Sequence, residues 1–270
     1  MSLKIVVLAK QVPDTRNVGK DAMKADGTIN RAALPAIFNP EDLNALEQAL
    51  RLKDAHPGST VTILTMGPGR AADIIREGLF RGADNGYLLT DRAFAGADTL
   101  ATSYALATAI RKIGEYDIII GGRQAIDGDT AQVGSQIAEK LDIPQISYAA
   151  DVKVEGKKVT VKRMLEDGYM KIKVQTPCLI TCIKDNETAP RYMTLNGIND
   201  CYSRPLTVLD FEALKDEPLI ELDTIGLKGS PTNIFKSFTP PQKGAGTILE
   251  GADKSTAADL ADRLLQKHVI

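Results

Sequence analysis

The residues from Gly121 to Gly134, Gly-Gly-Arg-Gln-Ala-Ile-Asp-Gly-Asp-Thr-Ala-Gln-Val-Gly, follow directly on the apolar run Asp117-Ile-Ile-Ile120. That run is short, β-branched and closed by two glycines, which predicts a buried strand of a parallel sheet. Asp129-Thr130 then open a helical pattern carried by Val133, Ile137 and Leu141. A strand, a polar loop and a helix start in succession can hold an anion. The helix end offers unpaired N–H groups and partial positive charge, the glycines let the backbone come close, and Thr130 adds a hydroxyl. The chemistry expected of this stretch is phosphate binding.

Other chemistries find few residues. His56 and His268 stand near no Ser or Cys in a recognisable motif and GxSxG does not occur, so no catalytic residue is assigned. Cys178, Cys182 and Cys201 form no CxxC pair and lie far from both histidines; no metal site is expected, and the thiols read as small buried apolar groups. The stretch from Gly67 to Ala72 matches the relaxed GxGxxA fingerprint. Pro68 is rigid where that turn must be tight, however, and the match follows the second strand, so an ordinary turn before a helix is the better reading. Redox work by this chain therefore requires a cofactor.

The loop must be positioned by what surrounds it. Strand-like segments at 4–9, 61–66, 85–90 and 117–122 alternate with helical patterns through Leu43, Leu46 and Leu50, then Ile74, Ile75 and Leu79, then Leu100, Tyr104, Leu106 and Ile110. The alternation predicts an α/β fold, a parallel sheet with helices on both faces, whose ligand binds beyond the carboxyl ends of the strands. Leu8-Ala9-Lys10, Thr65-Met66-Gly67 and the Gly122 loop all fall at that edge. After Pro144 the period changes to two, with turns at Glu155-Gly156 and Asp167-Gly168, which predicts an antiparallel hairpin extension. From about Thr188, Gly-Ser-Pro and Thr-Pro-Pro stretches interrupt the pattern before a last helix through Ala257, Leu260, Leu264 and Leu265. The expected division is 1–205 as a nucleotide-binding domain with its hairpin extension and 206–270 as a C-terminal arm without a core of its own.

A chain of 270 residues can bury a sizeable core, and a net charge of -2 gives no general pull toward nucleic acid or anionic membrane. No signal-like or membrane-spanning apolar run is present, so a cytoplasmic protein is expected.

Several stretches, in order, resemble the β subunit of electron-transfer flavoproteins. They are 4–15, Phe38 to Asp42, Thr65 to Gly69, Arg81 to Asp84, the loop from Gly122 to Gly134, Pro190 to Ile198 and Thr239 to Thr247, so the resemblance covers essentially the whole chain. The hairpin region also resembles the family signature through Val161, Arg163, Glu166, Asp167, Gly168, Ile172, Pro177 and Thr181; Met170 departs from it, an acidic or amide side chain being usual there. The resemblance implies an adenine-nucleotide α-hydrolase-like fold in which Leu8, Ala9 and Met66 border the adenine or ribose. Asn39 and Asp42 would contact the adenosine side, and Gly122, Arg123, Gln124, Ala125, Asp127, Gly128, Asp129, Thr130, Ala131, Gln132, Val133 and Gly134 would clasp the phosphates. Arg123 would pair with a phosphate or with flavin-edge charge, while Asp127 and Asp129 would serve as caps or ribose ligands. Pro190-Arg-Tyr-Met-Thr-Leu-Asn resembles the loop that engages a partner dehydrogenase, with Arg191, Tyr192 and the anchoring Leu195; the alternative for Leu195 is a place in the core.

Members of that family are of two kinds. In simple carriers the β subunit holds only AMP; in electron-bifurcating members it holds FAD, takes hydride from NADH, and passes electrons to ferredoxin and, through the FAD of the α subunit, to a dehydrogenase. Gly128 in the loop, together with Thr99 and Thr102, resembles the second kind; Ser135 departs from it, since proline is common there. The C-terminal arm would wrap the α subunit. Two alternatives stay open: the AMP-holding carrier, and a universal-stress-type ATP-binding regulatory domain.

Overall fold

A computed structural model describes residues 1–14, 35–184, 189–232 and 244–270. Thr15, Thr188 and the segment Thr239–Lys243 of the stretches above lie outside the described residues. The strands are β1 (Lys4–Leu8), the short β2 (Gln11–Pro13) and β3 (Ala36–Phe38), β4 (Thr60–Met66), β5 (Asn85–Leu89), β6 (Ile118–Gly122), β7 (Gln145–Glu155), β8 (Lys158–Met164), β9 (Tyr169–Gln175), β10 (Cys178–Cys182) and β11 (Leu206–Leu209). The helices are α1 (Pro40–Ala55), α2 (Ala72–Arg81), α3 (Thr99–Ile113), α4 (Val133–Leu141), the short α5 (Leu195–Asp200) and α6 (Phe211–Leu214), and α7 (Lys254–Gln266). The predicted strands and helices of the first half form where the periodicity puts them.

One sheet runs in the order β11-β5-β4-β1-β6-β10-β7-β8-β9. It is parallel from β11 to β7, and β8 and β9 add antiparallel to β7. Alternation along the central strands divides the core. Ile5, Val7, Ile63, Ile118, Ile120 and Ile180 face α1 and α2; Val6, Leu64, Ile119 and Leu179 face α3 and α4. Strands buried on both sides must be apolar at every position, which is why β6 reads Ile-Ile-Ile.

β7 makes the join between the two halves. Its first residues pair parallel to β10 and its later ones antiparallel to β8, with register shifts around Ala149. Tyr148, at φ +59, takes up the irregularity. At the far end of the extension Met170 stands directly opposite Arg163, whose buried Nε has no hydrogen-bond partner. The acidic or amide side chain usual at 170 would face that guanidinium.

Two expectations are corrected. Residues 206–232 belong to the first compact unit, not to an arm: β11 pairs with β5, and Leu209, Leu214, Ile220 and Ile225 are buried on the α3 side of the sheet. Turn-rich sequence hid this because short elements that borrow a core from a sheet need little periodicity of their own. The second correction concerns α4, which begins at Val133, after Asp129 (φ +47) and Ala131 (φ +53) have taken left-handed conformations. Asp129-Thr130 therefore belong to the loop. In the second unit, α7 is capped by Asp253, which accepts the Thr256 N–H at 2.8 Å, and Leu260 and Leu265 are exposed. Among the described residues no helix is long and apolar enough to cross a membrane.

Candidate nucleotide site

β1 lies between β4 and β6, and successive connections leave it in opposite directions, so the crevice between the carboxyl ends of β1 and β6 is a topological switch point. A cleft of about 830 Å³ opens there. Its walls are the ends of β1, β4 and β5, the start of α3, and the loop between β6 and α4. Volume of this order suits a cofactor. Every residue predicted to bind the cofactor lines the cleft except Asn39 and Asp129. Lys10, Arg70, Asp98 and Thr181 line it too, and were not among the residues predicted to bind the cofactor.

The loop after β6 is held from behind by the first turn of α1. Gly122 donates its N–H to Asp42 Oδ1 at 2.9 Å, Gln124 its N–H to Glu41 Oε2 at 3.0 Å, and Ile126 its N–H to Asn39 Oδ1 at 3.2 Å. Asn39 Nδ2 returns a bond to the Gln124 carbonyl at 2.8 Å. Asn39 is 0% exposed and both ends of its amide are engaged on the loop, so its side chain faces the loop and not the cleft. Asp42 also accepts the Lys10 N–H at 2.9 Å and so ties the end of β1 to the end of β6. Burial drives the Asp42 carboxyl up to about 7, against the opposing pull of its N–H donors.

The glycines serve different ends. A Cβ on Gly122 would sit 2.5 Å from Asp42 Oδ1 and 2.7 Å from the Asp42 backbone, so this glycine admits α1. One on Gly134 would sit 2.7 Å from Thr181, so that glycine seats α4 on β10. Of the described glycines that line the cleft, only Gly128 would meet nothing within 4 Å. It leaves open the space into which a pyrophosphate would come.

Several charged groups in the cleft wall are already paired. Arg123 donates to Glu41 at 2.9 Å and lies 5.6 Å from the Tyr148 ring centre; the bond to Glu41 raises its guanidinium above the ordinary value. Lys10 Nζ donates to Asp127 at 2.8 Å. Gln124 Nε2 donates to Asp129 at 2.7 Å. Across the cleft Asp98 caps α3 by accepting the Ala101 N–H at 3.0 Å. Thr99, in that first turn, donates its hydroxyl to Gln132 Oε1 at 2.8 Å, and Thr102 lines the wall one turn on. Asp98 has a sequence signal, an aspartate just before the α3 pattern; Glu41 had one inside Phe38-Asn-Pro-Glu-Asp42, where it reads only as a first-turn acid.

The segment predicted to meet a dehydrogenase divides its residues between two tasks. Arg191 donates to Glu47 at 3.0 and 3.1 Å and to Asp54 at 2.9 Å, which raises its guanidinium, and its N–H donates to Glu47 at 2.9 Å. It anchors the segment on α1. Tyr192 and Leu195 are 91% and 81% exposed, so Leu195 is not core. All three cysteines are free and buried; burial pushes the Cys178 thiol up to about 12 and raises that of Cys182 as well. No group of residues that could hold a metal occurs among the described residues.

A parallel sheet flanked by helices, with a cleft at its switch point, defines an α/β protein, and comparison with known proteins places it further. Residues 26–210 match the electron transfer flavoprotein domain, and the chain belongs to that family. It is 64% identical over 270 residues to the acryloyl-CoA reductase electron transfer subunit gamma of Anaerotignum propionicum, covering 99% of this chain and 100% of that one. It is 49% identical to the caffeyl-CoA reductase-Etf complex subunit CarD of Acetobacterium woodii, over 99% of this chain and 100% of that subunit. Against the electron transfer flavoprotein subunit beta of Megasphaera elsdenii the identity is 50%, over 99% and 98%. It is thus a β-type member of the family, and a stress-type regulatory domain is set aside.

Proposed function

We propose that the chain is the β subunit of an electron-bifurcating electron-transfer flavoprotein, whose cleft takes FAD. The observation that carries the reading is the opposition of Thr99 and Thr102, on the first turns of α3, to the Gly128 loop across one cleft of about 830 Å³. The pocket residues fit such a group: the space beside Gly128 is open, the walls beneath it are Leu8, Ala9 and Met66, and Arg123 borders it. When bound, FAD supplies the acceptor for a hydride from NADH and the source of electrons for ferredoxin and for the FAD of an α subunit.

The protein's own part is to bind and orient. The N–H groups of Gly122, Arg123, Gln124, Ile126, Gly128 and Asp129 already have acceptors within the protein. Within the loop from Gly122 to Gly134, the Thr130 hydroxyl and the N–H groups from Thr130 onward therefore hold the phosphates; Leu8, Ala9 and Met66 flank the adenosine, and Thr99 and Thr102 bound the cofactor on the side of α3. Leu195 and Tyr192 dock a dehydrogenase, and the C-terminal residues 244–270 wrap the α subunit. Two relatives carry the names of acryloyl-CoA and caffeyl-CoA reductase complexes, which favours as partner an enzyme that reduces an unsaturated thioester of coenzyme A.

Acid extraction of the co-purified αβ complex, with FAD and AMP separated by chromatography, tests the reading. Two FAD and no AMP per heterodimer are expected. One FAD and one AMP would make it the simple carrier, with AMP in this cleft.

A further inference from the structure

The loop after β6 is held like a strand that lacks a partner on one side. Towards β10 it has an ordinary neighbour, for the Arg123 N–H donates to the Cys182 carbonyl at 2.8 Å. Towards β1 it has none, because β1 ends at Leu8. On that side the N–H groups of Gly122, Gln124 and Ile126, every second residue, go to Asp42, Glu41 and Asn39. A neighbouring strand takes alternate N–H groups in the same rhythm, from its carbonyls.

The first turn of a helix ordinarily uses such residues for itself. An asparagine at the N-cap accepts an N–H of its own helix, and first-turn acids answer the helix dipole. Asn39 occupies the N-cap position and makes no capping bond; its amide is turned onto the loop instead. Glu41 has only 12% of its side chain exposed and takes both the Gln124 N–H and the Arg123 guanidinium.

We infer that Asn39, Glu41 and Asp42 are positioning residues, whose side chains stand in for a missing strand and keep the loop extended along the cleft wall; Asn39 and Glu41 do so from behind the loop, outside the lining of the cleft, while Asp42 also borders it. The inference rests on the reading that this cleft takes a nucleotide; it reassigns Asn39 from an adenosine contact to a loop support and gives Asp42 the supporting role beside its place in the cleft wall. Glu41 has a second effect: it fixes where the Arg123 guanidinium stands at the cleft border.

The test uses the full chain co-purified with its α subunit, titrated separately with AMP and with FAD by calorimetry after the bound nucleotide has been removed. Asn39→Leu and Glu41→Ala each leave a loop N–H without its acceptor, and affinity for the better of the two probes should fall about tenfold to hundredfold. Glu41→Gln keeps an acceptor for the Gln124 N–H and should recover most of that loss, a rescue that a charge requirement alone would not give. Amide hydrogen exchange at Gln124 and Ile126 should accelerate in the Ala and Leu variants while β4 keeps its protection, and saturating nucleotide should slow it again. Unchanged affinity, failure of Glu41→Gln to exceed Glu41→Ala, or unchanged exchange at these amides would each overturn the inference. If the unaltered protein binds neither probe, the functional reading fails, and the exchange comparison by itself decides whether the side chains hold the loop.

Discussion

Two irregular segments of this protein are fastened to the same helix in opposite ways. The first turn of α1 grips backbone: Asn39, Glu41 and Asp42 accept N–H groups of the loop after β6. Further along, Glu47 and Asp54 grip a side chain, the guanidinium of Arg191. The consequences differ. A loop held by its amides keeps a fixed backbone course, which suits a cradle for phosphates. A segment held by one arginine is fixed at a point and leaves its other side chains free, so Tyr192 and Leu195 stand out to solvent. Carboxylates on one helix thus fix the wall of a cleft at one end and an exposed segment at the other.

The largest effect should come from crowding the first attachment. Gly122→Ala places a methyl 2.7 Å from the Asp42 backbone, which cannot move without shifting α1, and should cost about 3 kcal/mol or more in thermal unfolding. The pH dependence of stability separates the two attachments next. Asp42 titrates near its ordinary 3.8 when unfolded and at about 7 when folded, so the folded chain binds the extra proton between these values. Its contribution is fully present below about pH 4 and is lost as pH rises through about 7, a change on the order of a few kcal/mol; in Asp42→Asn that part of the slope should vanish from denaturant titrations.

Glu47→Ala breaks the second attachment and should destabilise by about 2 kcal/mol while leaving nucleotide content unchanged. Loss of nucleotide in that variant would mean the two loops are not separately held. Leu195→Ala should leave stability within about 0.5 kcal/mol and weaken association with the dehydrogenase by about 1.5 to 3 kcal/mol, measured by calorimetry. The smallest effect sharpens the comparison with an arginine that has no carboxylate among the described residues. Met170→Glu sets an acid opposite Arg163 and should add about 0.5 kcal/mol in chemical unfolding.

Much of this could be read along the chain. The β-branched runs of β1, β4 and β6 are buried on both faces, so their apolar continuity declares them, and the helices between show their inward stripe. The lining of the cleft was legible as well: Gly128 and Thr99, picked out for properties they carry in any context, both border it, and Leu195 is exposed. Less was legible where a residue's use depends on what stands opposite. Arg123 is a candidate for the cofactor and Arg191 for a protein partner, yet Glu41 and Glu47, distant in sequence, occupy both. β11 was hidden for the same reason, being a strand only because β5 offers it an edge.

The sequence by itself determined the alternation of strands and helices, the carboxyl edge as the place for a ligand, and the family to which the chain belongs. These rest on periodicity and local chemistry, which a linear chain carries intact. Only the tertiary structure decided that Asn39, Glu41 and Asp42 turn onto a loop some eighty residues away, that α4 starts after the left-handed turn at Asp129 and Ala131, and that Arg191 anchors while Leu195 stays exposed. A hydrogen-bonding group takes whichever partner the fold brings within about 3 Å, and that choice is a property of three-dimensional packing alone.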